Sequence, residues 1–278
     1  MKRMRIMGLC LVAAFAFSAL AASSSFGAAE IGRCVAKAGT GKFKNANCTE
    51  KAGTKVEEKA FEFLKGAKSE TEGVHFTSAG GEGVLETVSG TKITCSTQSA
   101  TGKYDEDSGV IKEVESVVAK FEGCGIPALG TKCNSTGEPE GNIATFLLKG
   151  PLGYIAGEKT KTPTVGQLLT PEKAKGFFAE FKCLSGGITV KVKGKEGAVE
   201  GKTGGNCVIA PVENANEMSL TAKQVYSGSG GKQSPQHFQL STSKYCNLES
   251  NTNGGAFEAA TQALTTTVTN EEALEIKA

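Results

Sequence analysis

Cysteine is the residue of this chain best placed to do covalent or metal chemistry. There are nine. Cys10 sits inside an N-terminal apolar run, and the other eight are Cys34, Cys48, Cys95, Cys124, Cys133, Cys183, Cys207 and Cys246. An even set in an oxidising compartment pairs as four disulfides, each contributing about 2–4 kcal/mol by restricting the unfolded chain. Structural zinc is the competing use of thiolates. It is not expected, because no CxxC pair exists, the tightest spacing is Cys124 to Cys133, and there are only two histidines. Cys34 and Cys48 are expected to close a local loop. The other six admit two schemes. One bridges Cys183–Cys207 and Cys95–Cys124 across hairpins and leaves Cys133–Cys246 as a long link. The other closes Cys124–Cys133 and uses Cys95–Cys183 and Cys207–Cys246.

Hydrolytic and phosphate chemistry finds little support. Gly197-Ala198-Val199-Glu200-Gly201-Lys202-Thr203 resembles a phosphate loop but has three residues between its glycines where four are needed, and reads as a glycine turn. Ser229–Lys232 and Ser241–Lys244 match SxxK and Lys202-Thr203-Gly204 matches KTG. Their order is reversed relative to the penicillin-binding enzymes, and no SDN element is present. A Ser-His-Asp triad would need His75 or His237 with Asp105 or Asp107, yet both histidines precede phenylalanine in strand-like sequence. A glutamate pair of the glycosidase kind has 27 candidates and no marked one. The oxygens of Tyr104–Gly109 suit a charged hairpin tip better than calcium. No catalytic, cofactor-binding or metal set is expected.

Charge excludes a further class. Three of the 31 basic residues lie before residue 30, leaving Arg33 and 27 lysines against 29 acidic residues. One arginine and no net positive charge make a poor nucleic-acid binder. The N-terminus carries Lys2, Arg3 and Arg5, then an apolar run from Met7 to Phe17 and small residues. This reads as a signal peptide over 1–29, cleaved after Ala21 or Ala29. The run is too short to span a bilayer, and no later stretch is apolar enough, so no transmembrane segment is expected once the signal is removed. Secretion or display at the cell surface follows.

The elements that must carry these residues read as strands. Thirty-six glycines punctuate short runs of Val, Ile, Thr and Phe. Ile188-Thr189-Val190-Lys191-Val192-Lys193 alternates, with Ile188, Val190 and Val192 on one face. Helical signals are confined to Lys55–Leu64, which fits a helix or a helix running into a strand equally badly, and a single turn at Pro171–Phe178. The expected fold is all-β, an antiparallel sandwich or flattened barrel. A small disulfide-closed loop over 30–67 precedes a β-rich region over 68–278. A seam at 157–170 divides that region either into two domains or into two halves of one sandwich.

Ile31-Gly32-Arg33-Cys34, Gly39-Thr40-Gly41-Lys42-Phe43 and Asn47-Cys48-Thr49 resemble the start of a group of uncharacterised secreted actinobacterial proteins. Leu85–Val88 with Thr94-Cys95, Phe121–Cys124, Leu152–Ile155 and Glu272–Ile276 are similar as well. The resemblance implies no activity. It implies that the cysteine loop and the β region belong together, and that Cys207 and Cys246 are additions that pair with each other. The expected function is that of a non-enzymatic extracellular component contacting cell-wall polymer or another extracellular partner. A secreted hydrolase with a glutamate pair, or a protease inhibitor inserting its Cys34–Cys48 loop, is the alternative.

Overall fold

A computed structural model describes residues 29–67, 74–107, 110–157, 163–173, 176–184 and 187–278. The expected signal peptide, apart from Ala29, lies outside the described residues, as do Ser108 and Gly109 of the expected hairpin tip. The first strands are β1 (Glu30–Ala36), β2 (Phe61–Lys65), β3 (His75–Gly80), β4 (Gly83–Thr87), β5 (Lys92–Cys95), β6 (Thr97–Asp107), β7 (Val110–Glu122) and β8 (Gly125–Ile126). Next come β9 (Thr131–Ser135), β10 (Ile143–Ala144), β11 (Leu148–Ala156), β12 (Thr164–Pro171), β13 (Ala179–Cys183), β14 (Ile188–Gly194), β15 (Ala198–Val199) and β16 (Lys202–Gly205). The last are β17 (Val208–Pro211), β18 (Met218–Ser229), β19 (Lys232–Ser234), β20 (His237–Gln239), β21 (Ser243–Cys246), β22 (Leu248–Thr252) and β23 (Glu258–Lys277). The only helical pieces among the described elements are single turns at Val56–Glu58 and Pro127–Leu129.

The expected all-β fold is what forms, and it closes. Following antiparallel partners, β3 pairs with β6, β6 with β7, β7 with β11, β11 with β12 and β12 with β17. A bridge between Val212 and Gln224 joins β17 to β18, β18 pairs with β23, and β23 returns to β3. These eight strands make a closed antiparallel barrel. They succeed one another in sequence order, the up-and-down arrangement that removes sheet edges.

A second circuit, also of eight strands but mostly shorter ones, shares β23. It runs β23–β4–β5–β8–β9–β13–β14–β22 and back to β23, again antiparallel throughout. The 20 residues of β23 reach about 65 Å, enough for its start to serve one ring and its remainder the other. The sequence shows why. Leu264, Thr266, Val268 and Asn270 are buried, and Thr265, Thr267 and Thr269 between them are exposed, so period-2 alternation holds through the barrel. Ile188–Lys193 alternates as expected, with Val190 and Val192 buried.

Buried side chains of both rings form one continuous core. A smaller cluster of Leu168, Cys207, Ile209, Phe238 and Cys246 lies under the β20–β21 hairpin, which covers the outer face of β12 and β17. Gly153 permits that cover. A Cβ there would stand 2.4 Å from Phe238 Cζ and 2.8 Å from the Gln239 carbonyl oxygen.

Two sequence expectations need correction. No helical turn forms in the described residues of Pro171–Phe178, because Pro171 pairs with Leu148 and the Glu172 amide donates to the Leu147 carbonyl. Lys55–Leu64 takes the second of its two expected forms, one helical turn followed by strand β2. Neither disulfide scheme holds in full. The bridges are Cys34–Cys48, Cys95–Cys124, Cys133–Cys183 and Cys207–Cys246. Cys183–Cys207 fails because β14 leaves its turn to pair with β22 rather than with the segment carrying Cys207. Cys183 instead stands directly opposite Cys133 on β9, with Cα atoms 4.1 Å apart. That contact also rules out Cys133–Cys246, Cys124–Cys133 and Cys95–Cys183.

Candidate functional site: a cavity inside the barrel

Inside the eight-strand barrel, and reaching the core of the shorter ring, lies a cavity of about 170 Å³. Its origin is visible in the strand registers. Directly opposed residues on neighbouring strands point to the same face. Ala222, Val268, Ser78, Ala100 and Ala119 therefore form one inward row across β18, β23, β3, β6 and β7. Four of these five are Ala or Ser. An eight-strand barrel is just wide enough for its side chains to fill it, so a row of such small groups leaves a hole. Larger apolar side chains, among them Phe76, Leu152, Leu169 and Phe181, also line it.

The neighbouring row is polar. Gln224 opposes Thr266, Thr266 opposes Gly80, and Gly80 opposes Gln98. Thr266 Oγ1 donates to Gln98 Oε1 at 2.9 Å, and Ser78 Oγ lies 2.7 Å from Thr266 Oγ1 and 3.3 Å from Gln98 Oε1. Gly80 is required here. A Cβ at that position would come within 3.0 Å of Gln98 Oε1 and within 2.9 Å of the Thr265 carbonyl oxygen.

Three groups on this belt stay unpaired. Gln98 is 5% exposed, and its Oε1 is taken by hydroxyls while its Nε2 has no partner among the described residues. The Gln224 amide and the Tyr226 hydroxyl also line the cavity with no hydrogen bond among the described residues. Burial pushes the Tyr226 hydroxyl pKa up, so it stays a neutral donor. By contrast Gln167 Nε2 donates to the Gly150 and Leu168 carbonyls, and Tyr104 donates to Asn270 Oδ1 at 2.8 Å. No charged side chain lines the cavity among the described residues.

A second cluster surrounds the Cys34–Cys48 bridge. Glu275 is fully buried, its carboxylate accepts no hydrogen bond among the described residues, and Lys277 Nζ stands 3.5 Å from Oε1. Burial raises the Glu275 pKa, and Lys277 opposes the rise. The Lys277 ammonium donates to the Cys48 carbonyl and sits 4.3 Å and 4.8 Å from the ring centres of Phe43 and Phe63. Cys34, Cys48 and Glu275 have the spacing of a metal set, but the two sulfurs are bonded to each other, which leaves one carboxylate as a donor.

The remaining sequence candidates are scattered. Ser229 and Lys232 face each other across a two-residue hairpin whose central Gly230 and Gly231 have φ of 57° and 75°. The phosphate-loop look-alike is the β15–β16 hairpin, turning at Glu200 and Gly201 with φ of 49° and 75°. His237 Nε2 lies 3.4 Å from Ser243 Oγ on the exposed β20–β21 hairpin, whose third partner is Gln239 and not an acid. His75 opens β3, exposed and opposite Lys103 of β6, and Asp105, two residues further along β6, is in register with Glu113 of β7. No hydrogen bond among the described residues links a serine, a histidine and an acid of this set into a triad. Of the cavity residues, Gln98, Gln224 and Tyr226 carried no sequence signal beyond strand-like context. The recurring small residues of Thr77–Gly81, Ser99–Lys103 and Thr221–Gln224 were the sign available.

Comparison of the chain with protein-family models, with curated proteins and with solved structures gives no match, so its function has to be argued from the cavity itself.

Proposed function

We propose that this is an exported, disulfide-stabilised, non-enzymatic binding protein whose eight-strand barrel holds one small, largely apolar molecule. The observation that carries the reading is the closed barrel around a cavity of about 170 Å³. A cavity of about 150 Å³ lined by apolar groups is known to take up benzene or xenon, so the occupant is of benzene's size or slightly larger. Four disulfides, and the lack of any described helix long and apolar enough to cross a membrane, accord with an extracellular setting. The absence of carboxylates from the lining among the described residues weighs for binding over the glutamate-pair hydrolysis considered from sequence. A small-molecule ligand is also more specific than the wall-polymer partner expected there, because it has a shaped site. The chain has no tryptophan, so indole emission reports entry without background. Titrated indole should show a saturable one-to-one blue shift, weakened at least tenfold by Ala100→Leu. A shift that does not saturate, or is unchanged in that variant, overturns the reading.

A further inference from the structure

We infer that the ligand of the barrel is a neutral amphiphile, an apolar body carrying a hydroxyl or carbonyl, and that Gln98 and Tyr226 recognise its polar group. The inference rests on the cavity reading above and names the chemistry that the cavity selects.

The polar belt is the reason. An interior meant only for hydrocarbon has no use for four glutamines, three serine or threonine hydroxyls and two tyrosines facing it, because each unpaired buried donor costs free energy. Most of the barrel's inward polar atoms are in fact satisfied internally. Gln167 is held by backbone carbonyls, Tyr104 by Asn270, and Ser78 and Thr266 by each other and by Gln98 Oε1. That last arrangement fixes Gln98, because its oxygen is occupied by hydroxyls and its Nε2 is left as the free donor. Tyr226 stands two residues from Gln224 on the same face of β18, and its hydroxyl is likewise unpaired among the described residues. Gln98 and Gln224 occupy one row three strands apart, and the curvature of an eight-strand ring turns such inward side chains toward a common axis. A ligand oxygen placed there accepts from Gln98 Nε2 or from the Tyr226 hydroxyl.

The charge of that oxygen is also decided by the lining. No Lys, Arg or His faces the cavity among the described residues, so a carboxylate would give up water with no cation to meet it. No Asp or Glu faces it either, so an ammonium has no counter-ion. Neutral oxygen is what remains.

Three ligands of one ring size separate the possibilities: toluene, benzyl alcohol and benzoate, each titrated calorimetrically into the intact exported chain at pH 7. Benzyl alcohol should bind about tenfold or more tightly than toluene, because toluene leaves the donors unpaired. Benzoate should bind more weakly than either. Tyr226→Phe keeps the ring and removes only the hydroxyl, and should cut the alcohol-over-toluene ratio at least threefold. Gln98→Leu should do the same, and since it also disturbs Ser78 and Thr266, Tyr226→Phe is the decisive variant. Equal binding of toluene and benzyl alcohol, a ratio unchanged in Tyr226→Phe, or benzoate binding as tightly as the alcohol each overturns the inference while leaving the cavity reading intact. If none of the three binds, the cavity reading itself falls.

Discussion

Replacing Ala100 by Leu distinguishes a hollow barrel from a filled one by the sign of its effect on stability. Ala100 lies on the inward row between Ser78 and Ala119 and borders the cavity. Leucine adds three carbons. At about 0.8 kcal/mol per buried methylene-sized group the transfer gain is about 2.4 kcal/mol. Ordering the longer side chain costs about 0.5–1 kcal/mol, leaving a net stabilisation of about 1.5 kcal/mol. Three carbons fit, since a cavity slightly smaller than this one holds the six of benzene. For a chain of this size the gain raises Tm by about 3–6 °C. In a close-packed interior the same substitution would instead cost about 1–3 kcal/mol through forced rotamers and backbone shifts. Urea unfolding with the disulfides intact, read by far-UV circular dichroism, measures the difference. A midpoint lowered by the equivalent of 1 kcal/mol or more would refute the reasoning, because it would mean that the interior has no room.

Three further sets of substitutions test other parts of the account. Burial holds the Glu275 carboxyl above its ordinary pKa of 4.5, so the folded state binds this proton more tightly than the unfolded chain does. The group's contribution to stability is therefore fully present below about pH 4.5 and is lost as pH rises through the folded value. Glu275→Gln should consequently gain stability relative to wild type between pH 4 and pH 8, by about 1–3 kcal/mol for a buried group without a hydrogen bond, as denaturant unfolding at the two pH values will show. A difference independent of pH would contradict the burial argument. Removing Cys133–Cys183, which closes 50 residues, by the double change to Ala should cost about 4 kcal/mol. Removing Cys34–Cys48, which closes 14, should cost about 3 kcal/mol, and the order of the two midpoints checks the loop-entropy reasoning. Peptide mapping of the unreduced chain should return the four pairs described above.

How far the sequence leads is clear from particular residues. The alternation of Ile188–Lys193 is a local property of the chain, so strand and buried face could be read directly. The same holds for the glycine turns at Gly201 and at Gly230-Gly231, where positive φ is needed at fixed positions of a hairpin. Cys133–Cys183 is of another kind. The two residues meet only because β9 lies beside β13 in the shorter ring, and no count of intervening residues reveals that neighbour. The choice of barrel over sandwich also depends on distant partners, since closure rests on the single bridge of Val212 to Gln224. The cavity was hidden for a further reason. It is made by side chains that are small, and Ala100, Ala119, Ala222 and Ser78 carry little hydrophobic signal one at a time. Only the registers of five strands place them in one row. Gln98 and Tyr226 are ordinary strand residues until that row leaves space in front of them.

The central claim is that the barrel encloses a space able to take up an apolar guest. A crystal of the protein pressurised with xenon tests it most directly, because xenon enters apolar cavities of this size and is located by its scattering. The account predicts a xenon site inside the eight-strand barrel, bounded by Ala100, Ala119 and Ala222, and its loss in Ala100→Leu. A barrel interior filled by side chains, with no xenon between those three residues, would contradict it.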